Sequence, residues 1–271
     1  MRTLRHFVLP FVAGTFLLFS AAPIPAQTLR EPTDLDRRFA RHFPERPPVQ
    51  FEIAEDADHR PLTIVTNSYQ FSLTAYAVRM EPKLAGDSPQ TSICDALTRM
   101  CGLRPIPRGL SHKMGVPHLV GGPVPDSSLV AAVWEDGSTF GPDELLARIS
   151  ASRKAMVDSY DLAIVALQTG LEKNWTVEEY LAAARPPNPP MPARMMATKD
   201  EASAATEKLT AQRLPSLTIT DNMQHAIEHD RSPARVAKLA QILLKDFEQS
   251  RDALRKALGG PTAFGDQTPN R

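Results

Sequence analysis

The segment His225-Ala226-Ile227-Glu228-His229 contains the residue types and the spacing of a metal-dependent hydrolase. On a helix, two histidines four residues apart lie on the same face and can bind one metal ion. A glutamate beside them can remove a proton from a metal-bound water. His225, Glu228 and His229 are therefore the candidate metal ligands and base of this chain.

The His-x-x-Glu-His pattern resembles the motif of the inverted zinc peptidases of the pitrilysin class. The resemblance covers five residues, and that family carries its third ligand, a glutamate, far downstream in a much larger domain. Asp221 and Asp230 have no spacing that recommends them as substitutes. A polar surface of a short helix, with Ile227 facing the core, explains the same residues. We expect a solvated helix face with no catalytic residue, metal or cofactor, and keep metal-dependent hydrolysis as the alternative.

Two pairs of adjacent residues contain side chains that could act in catalysis. Ser111-His112 lies in a glycine-flanked segment, but the sequence has no Gly-x-Ser-x-Gly motif, and adjacent residues rarely act as nucleophile and base. Glu135 and Asp136 could act as a carboxylate pair on a sugar, yet an Asp136-Gly137 turn accounts for the aspartate. The sequence also lacks a glycine-rich phosphate loop and a dinucleotide fingerprint, so we expect no nucleotide cofactor.

Cys94 and Cys101 are the two cysteines of the chain. In an exported protein, such a pair favours a disulfide. On a continuous helix the two positions would lie about 10 Å apart, beyond the reach of a bridge, so the segment between them must turn. The spacing matches neither a Cys-x-x-Cys redox pair nor a zinc knuckle.

The first 26 residues have the features of a signal peptide. Arg2 and Arg5 precede an apolar run over residues 7–22, and a small residue, Ala26, marks the expected cleavage site. Cleavage would leave 29 basic and 31 acidic residues, a net charge near −2. So small a charge gives no field to attract nucleic acid. We expect a soluble protein, secreted or periplasmic, with no transmembrane segment after cleavage.

Period-two patterns predict a β-rich region over residues 49–141, after a polar, proline-rich linker over 27–48. The linker contains a possible helix cap at Thr33. Strands are predicted around Phe51 and Ile53 and around Leu62 and Ile64, with a turn at Asn67-Ser68. Further strands are predicted over 71–77, 102–105, 116–120, 128–134 and 138–140. In the strand over 71–77, we expect Phe71, Leu73, Ala75 and Ala77 on one face and Ser72, Thr74 and Tyr76 on the other. Asp136-Gly137 favours a type I′ hairpin between the last two strands, because both central positions of that turn need positive φ.

Helical periodicity begins after Gly141 and continues to Leu258. Apolar residues at three- and four-residue steps predict a helix of about thirty residues within a segment 142–185, followed by a short helix capped by Thr176 and Glu179. A stiff proline-rich spacer over 186–192 separates this segment from a second helical segment over 193–258. The second segment is predicted to contain a helix that ends near Arg213, a separate short helix around Ile219–Ile227, and a long helix that begins at Pro233. Residues 259–271 form a predicted disordered tail. The two long helices are expected to pack antiparallel.

Three stretches carry a resemblance to a group of proteins: Thr66-Asn67-Ser68-Tyr69, Leu73-Thr74-Ala75-Tyr76 and Val133 to Gly141. Together with the long arginine-bearing helix that follows, they are similar to uncharacterised secreted bacterial proteins. The resemblance covers about residues 60–165. It implies a small β-sandwich that leads into a helix, and it implies no activity.

The sequence thus predicts an α+β protein, with an immunoglobulin-like antiparallel β-sandwich followed by a helical region. We expect an exported, non-enzymatic protein that binds another protein or a component of the cell envelope. Metal-dependent hydrolysis and the binding of a small ligand between the β-region and the helices are the alternatives. The near-neutral charge and the absence of an aromatic stacking array argue against nucleic acid.

Overall fold

The computed structural model describes residues 33, 36–37, 40–83, 88–116, 123–184 and 199–259, and for residues 199–208 and 227–229 it describes the backbone. Within these ranges the chain is a mixed α+β structure with two sheets and four helices. The strands are β1 (His42–Phe43), β2 (Val49–Glu55), β3 (Pro61–Asn67), β4 (Leu73–Glu81), β5 (Gln90–Asp95), β6 (Ser111–Gly115), β7 (Asp126–Trp134) and β8 (Thr139–Phe140). The helices are α1 (Asp143–Lys173), α2 (Val177–Ala183), α3 (Lys199–His229) and α4 (Pro233–Leu258).

The strands form a five-stranded sheet in the order β1-β8-β7-β4-β5 and a three-stranded sheet in the order β2-β3-β6. All neighbours are antiparallel except β1 and β8, which are parallel. Residues of both sheets share one apolar core, which includes Val65 from β3, Tyr76 from β4 and Trp134 from β7. In β3 fully buried side chains alternate with half-buried ones, as expected for a strand with one face on a core.

Strand β4 is buried on both faces, because the first part of α1 covers the face that the three-stranded sheet does not. The predicted alternation fails at its beginning. The pairing with β7 shifts register between Leu73 and Ala75, and Leu73 joins Tyr76 in the core between the sheets, while Ala75 and Ala77 contact Ile149 of α1. A β-bulge accounts for this difference, since one extra residue reverses the faces beyond it.

Three segments differ from the predicted strands. Residues 102–105 form no strand, and the chain forms β5 and β6 instead, which the sequence pattern did not predict. Val116 lies just beyond β6, and residues 117–120 are outside the described residues. Part of the predicted linker belongs to the sheet, because β1 pairs with β8. These strands form through partners distant in sequence, which a local pattern does not contain.

The hairpin between β7 and β8 is present, but its predicted turn type is wrong. Trp134 N donates to Ser138 O at 2.9 Å and Gly137 N donates to Trp134 O at 3.1 Å, so three residues form the loop. Gly137 has φ of 88°, whereas Asp136 is not among the described residues with positive φ. A type I′ turn requires positive φ at both positions, so the loop belongs to the three-residue class with a left-handed glycine.

The long helix α1 has the predicted extent, and its stripe residues Ile149, Met156 and Leu167 are buried. Helix α3 corrects the prediction of two separate helices, because it continues through Pro215 to His229. Proline removes one hydrogen bond inside a helix, but tertiary contacts can retain the helix. Here the Ser159 hydroxyl of α1 donates to Gln212 O at 2.6 Å, in the turn that precedes the proline.

The predicted caps are described at Thr176, the N-cap of α2, and at Thr33, whose hydroxyl accepts from Asp36 N at 3.2 Å. Thr176 and Glu179 form the expected capping box of α2. Ser232 precedes Pro233 at the start of α4, which ends at Leu258. The signal peptide, the spacer over 186–192 and residues 260–271 lie outside the described residues.

Sheets and helices belong to one compact unit. Leu97, which follows β5, packs against the helical core, where Tyr160 of α1 meets Phe247 of α4 with ring centroids 5.2 Å apart. Among the described residues, none of the helices combines the length and apolarity that crossing a membrane requires.

Candidate functional site

The predicted metal motif lies at the end of α3. Residues 225, 228 and 229 all belong to this helix, so the backbone has the conformation that the motif needs. The side chain of His225 is exposed, whereas those of Glu228 and His229 lie outside the described residues. Among the described side chains, no group of three His, Cys, Asp or Glu residues is arranged to hold a metal ion.

Ser111 and His112 are adjacent on β6 and point to opposite faces of the sheet. The Ser111 hydroxyl is 2.7 Å from the hydroxyl of Thr66, and His112 Nδ1 is 2.7 Å from the buried Tyr76 hydroxyl. Burial raises the pKa of Tyr76 and lowers the pKa of His112, so a neutral phenol and a neutral imidazole share this hydrogen bond. The fold does not bring this serine and histidine together as a nucleophile and its base.

Asp136 is 1% exposed and stabilises the hairpin loop. Its carboxylate accepts hydrogen bonds from Ser138 N at 3.0 Å, from the Ser138 hydroxyl at 2.7 Å and from the Tyr69 hydroxyl at 3.2 Å. The lone pairs that sugar chemistry would need are therefore used inside the fold. Glu135 beside it donates its backbone N–H to Ser72 O at 2.9 Å.

The predicted disulfide between Cys94 and Cys101 is confirmed, with the two Cα atoms 5.2 Å apart. The chain turns between the two cysteines, as the spacing required. Arg99 and Cys101 both have φ of 58°, in the left-handed region. The bridge therefore fixes a corner between the end of β5 and the segment that follows it.

A buried ion pair beside this corner connects the sheet to α1, and sequence reasoning missed it. Arg153 Nε donates to Asp95 Oδ2 at 2.8 Å, and Arg153 Nη2 donates to Asp95 Oδ1 at 3.2 Å and to the Thr74 hydroxyl at 3.0 Å. The two charged side chains are 4% and 1% exposed. The sequence did contain an indication of this pair. Arg153 lies four residues after Ile149, on the face of α1 that the apolar periodicity predicts to be buried.

A second buried polar centre lies at Asn67, where the chain passes from one sheet to the other. Its amide nitrogen donates to Phe71 O and to Ile106 O, each at 2.8 Å. Its side-chain oxygen accepts from Tyr69 N at 3.0 Å and from Trp134 Nε1 at 3.1 Å. All four hydrogen bonds of this amide are made, so its role is structural.

A groove of about 600 Å³ lies at the beginning of α1. Arg79 of β4 and Glu144 and Arg148 of α1 contribute charged groups to its lining, and Leu129 and Phe140 contribute apolar ones. Arg79 Nε is 2.6 Å from Glu81 Oε1. The volume falls in the range of small-ligand sites, and the charges could orient a polar ligand.

Several apolar side chains are exposed on the surface. Leu162 and Val165 on α1 are 74% and 60% exposed, and Ile242 on α4 is 57% exposed. Ile53, on β2, is 47% exposed and lies at an edge of the three-stranded sheet. Edge strands and exposed apolar residues on helices are features through which proteins bind one another.

No protein-family model, curated protein or solved structure matches this chain.

Proposed function

We propose that the protein is exported and acts without catalysis, by binding another protein or a component of the cell envelope. One observation carries the proposal. Three of the candidate catalytic side chains, those of Ser111, His112 and Asp136, are engaged in hydrogen bonds within the fold. Several apolar residues on the sheet edge and on the helices, by contrast, are open to solvent. A binding protein needs a stable scaffold with an accessible surface, which is this combination.

We further propose that the two sheets form an immunoglobulin-like sandwich. The order β2-β3-β6 corresponds to strands A, B and E of that fold, and the order β8-β7-β4-β5 corresponds to G, F, C and C′. Antiparallel packing of α1 against α4 also belongs to this proposal. Ion pairs of Asp161 with Arg251 and Arg255 support close contact between these helices. Sandwiches of this kind are widespread scaffolds for binding.

The proposal is tested by affinity capture of the mature chain from its native envelope. A bait that begins at Gln27, after the predicted cleavage site, should retain a partner in a fixed ratio. Excess untagged protein should displace that partner. Retention of no competable partner would contradict the proposed function.

Metal-dependent hydrolysis stays the second candidate, because α3 extends unbroken to His229 and so holds all three motif positions on one helix. We expect the purified protein to contain zinc below stoichiometric amounts, with peptidase activity no different in a Glu228→Gln variant. Stoichiometric zinc that is lost in His225→Ala, together with activity lost in Glu228→Gln, would replace the proposed function with hydrolysis.

The binding of a small ligand is favoured by the groove at the start of α1. Thermal stabilisation of the protein by sugars, peptides or peptidoglycan fragments would support this role. An Arg148→Gln variant supplies the control, because Arg148 lines the groove. If this variant is stabilised as strongly as the wild type, the ligand binds elsewhere.

A further inference from the structure

Strand β2 presents unpaired backbone groups at the edge of the three-stranded sheet. Val116 N donates to Pro61 O and Asn67 N donates to Leu110 O, so the odd-numbered residues of β3 bond to β6. The even-numbered residues of β3 therefore bond to even-numbered residues of β2. The amide and carbonyl groups of Phe51, Ile53 and Glu55 consequently point away from the sheet. Within the described part of the chain, β2 pairs with β3 alone.

The side chains along this edge alternate in character. Val49 and Phe51 pack partly against the core between the sheets, and Ile53 extends the same face into solvent. Gln50 and Glu52 are exposed on the opposite face. An added strand that continues the sheet would therefore place apolar side chains beside Ile53 and polar ones beside Glu52.

The negative charge of Glu52 indicates which polar residues an added strand would carry. Glu55 is 3.2 Å from His59, but Glu52 has no ion-pair partner among the described residues. Opposite charges on facing residues of adjacent strands stabilise a sheet, and like charges destabilise it. A second copy of β2 carries Glu52 and Glu55 but no basic residue, so it offers Glu52 no opposite charge, whereas a segment with lysine or arginine does.

We propose that the β2 edge accepts an extended segment of a partner protein, in which apolar residues alternate with lysine or arginine. The segment adds as a fourth strand, and its backbone bonds to Phe51, Ile53 and Glu55 while a basic side chain lies beside Glu52. This mode of binding rests on the proposed function and specifies how the partner is held.

The probe is a synthetic seven-residue peptide of alternating valine and lysine, and the readout is backbone amide hydrogen exchange of the mature protein. The peptide should slow exchange at Phe51, Ile53 and Glu55, whose amides gain hydrogen bonds. Exchange at Gln50 and Glu52, which already bond to β3, should change little and serves as an internal control. No added protection at the first three amides with about 1 mM peptide would overturn the proposal.

Two matched variants keep the result interpretable. Ile53→Pro removes an outward N–H and leaves each β2–β3 bond intact, whereas Ile53→Ala keeps that N–H and removes most of the same side chain. We expect peptide binding to weaken roughly tenfold or more in the proline variant and less in the alanine variant. Equal binding by the wild type and a folded proline variant would refute strand addition.

Charge reversal tests the selectivity for a basic segment. Glu52→Lys should weaken binding of the valine-lysine peptide and strengthen binding of a valine-glutamate peptide of the same length. A dimer that is detected by sedimentation and lost in Ile53→Pro would show that a second copy occupies the edge, and would overturn the proposal. If the wild type and Ile53→Pro capture the same partner equally, binding at the β2 edge is refuted, but the proposed function as a binding protein is not.

Discussion

Replacing Arg153 with methionine should destabilise the protein strongly, because it removes one half of a buried ion pair. Methionine keeps much of the apolar stem but loses the three hydrogen bonds to Asp95 and Thr74. Both charged side chains are almost fully buried, and removal of one partner of such a pair costs about 3–5 kcal/mol. Asp95 Oδ1 still accepts from Leu97 N at 2.9 Å, which favours the lower end of that range.

The assay is urea unfolding with a double-mutant cycle. Asp95→Asn keeps an acceptor for Leu97 N and removes the charge, so the double variant with Arg153→Met should be more stable than the sum of the single effects by about 1–3 kcal/mol. Arg255→Met is the matched control, since its pair with Asp161 is exposed at the surface and should contribute below about 1 kcal/mol. A loss for Arg153→Met no larger than this control would refute the assigned role of the pair.

Three further predictions concern the corner, the helices and the core. Replacing Cys94 and Cys101 with serine should lower the unfolding free energy by about 2.5 kcal/mol, as the chain-entropy estimate for so short a loop gives, measured by urea unfolding. Gly170→Ala should cost about 1–3 kcal/mol and lower the thermal midpoint, because the new Cβ would collide with the ring of Tyr180. The unfolding free energy should fall as pH drops below about 6.5, because burial lowers the pKa of His112 and the unfolded chain therefore binds a proton more readily than the folded one. Urea unfolding of His112→Phe at several pH values should show a weaker pH dependence than that of the wild type.

Each of these predictions has a result that contradicts it. Unchanged stability without the disulfide would mean that the corner forms without its bridge. Gly115→Ala is the glycine control, since its Cβ would meet no atom within 4 Å, and an equal loss there would remove the packing explanation for Gly170. A His112→Phe variant with the pH dependence of the wild type would assign that dependence to other groups.

Local sequence patterns were enough for the elements whose burial follows their own periodicity. The stripe of α1 and the capping box of α2 depend on residues a few positions apart, and both are present. Strand β5, Gln-Thr-Ser-Ile-Cys-Asp, reads as polar, but Thr91 and Asp95 are buried because β4 and α1 cover them. No local pattern contains those partners, and the same holds for β6.

The candidate site was predicted less well than the fold. The disulfide between Cys94 and Cys101 was predicted correctly, from the expectation of export and from a spacing that fits neither a redox pair nor a zinc knuckle. Ser111-His112 looked like a possible pair because of residue type, and a strand separates adjacent side chains onto opposite faces. The open edge of β2 follows from the pairing of β3 with β6, a long-range contact that the sequence does not display.

Site-specific photo-crosslinking in the native compartment tests most directly whether this protein acts by binding a partner. A photoreactive amino acid would replace Ile53 on the β2 edge, and separately Leu162 on α1. We expect a defined adduct with one partner at Ile53 that the valine-lysine peptide suppresses. The absence of an adduct at both exposed positions would contradict a role in binding.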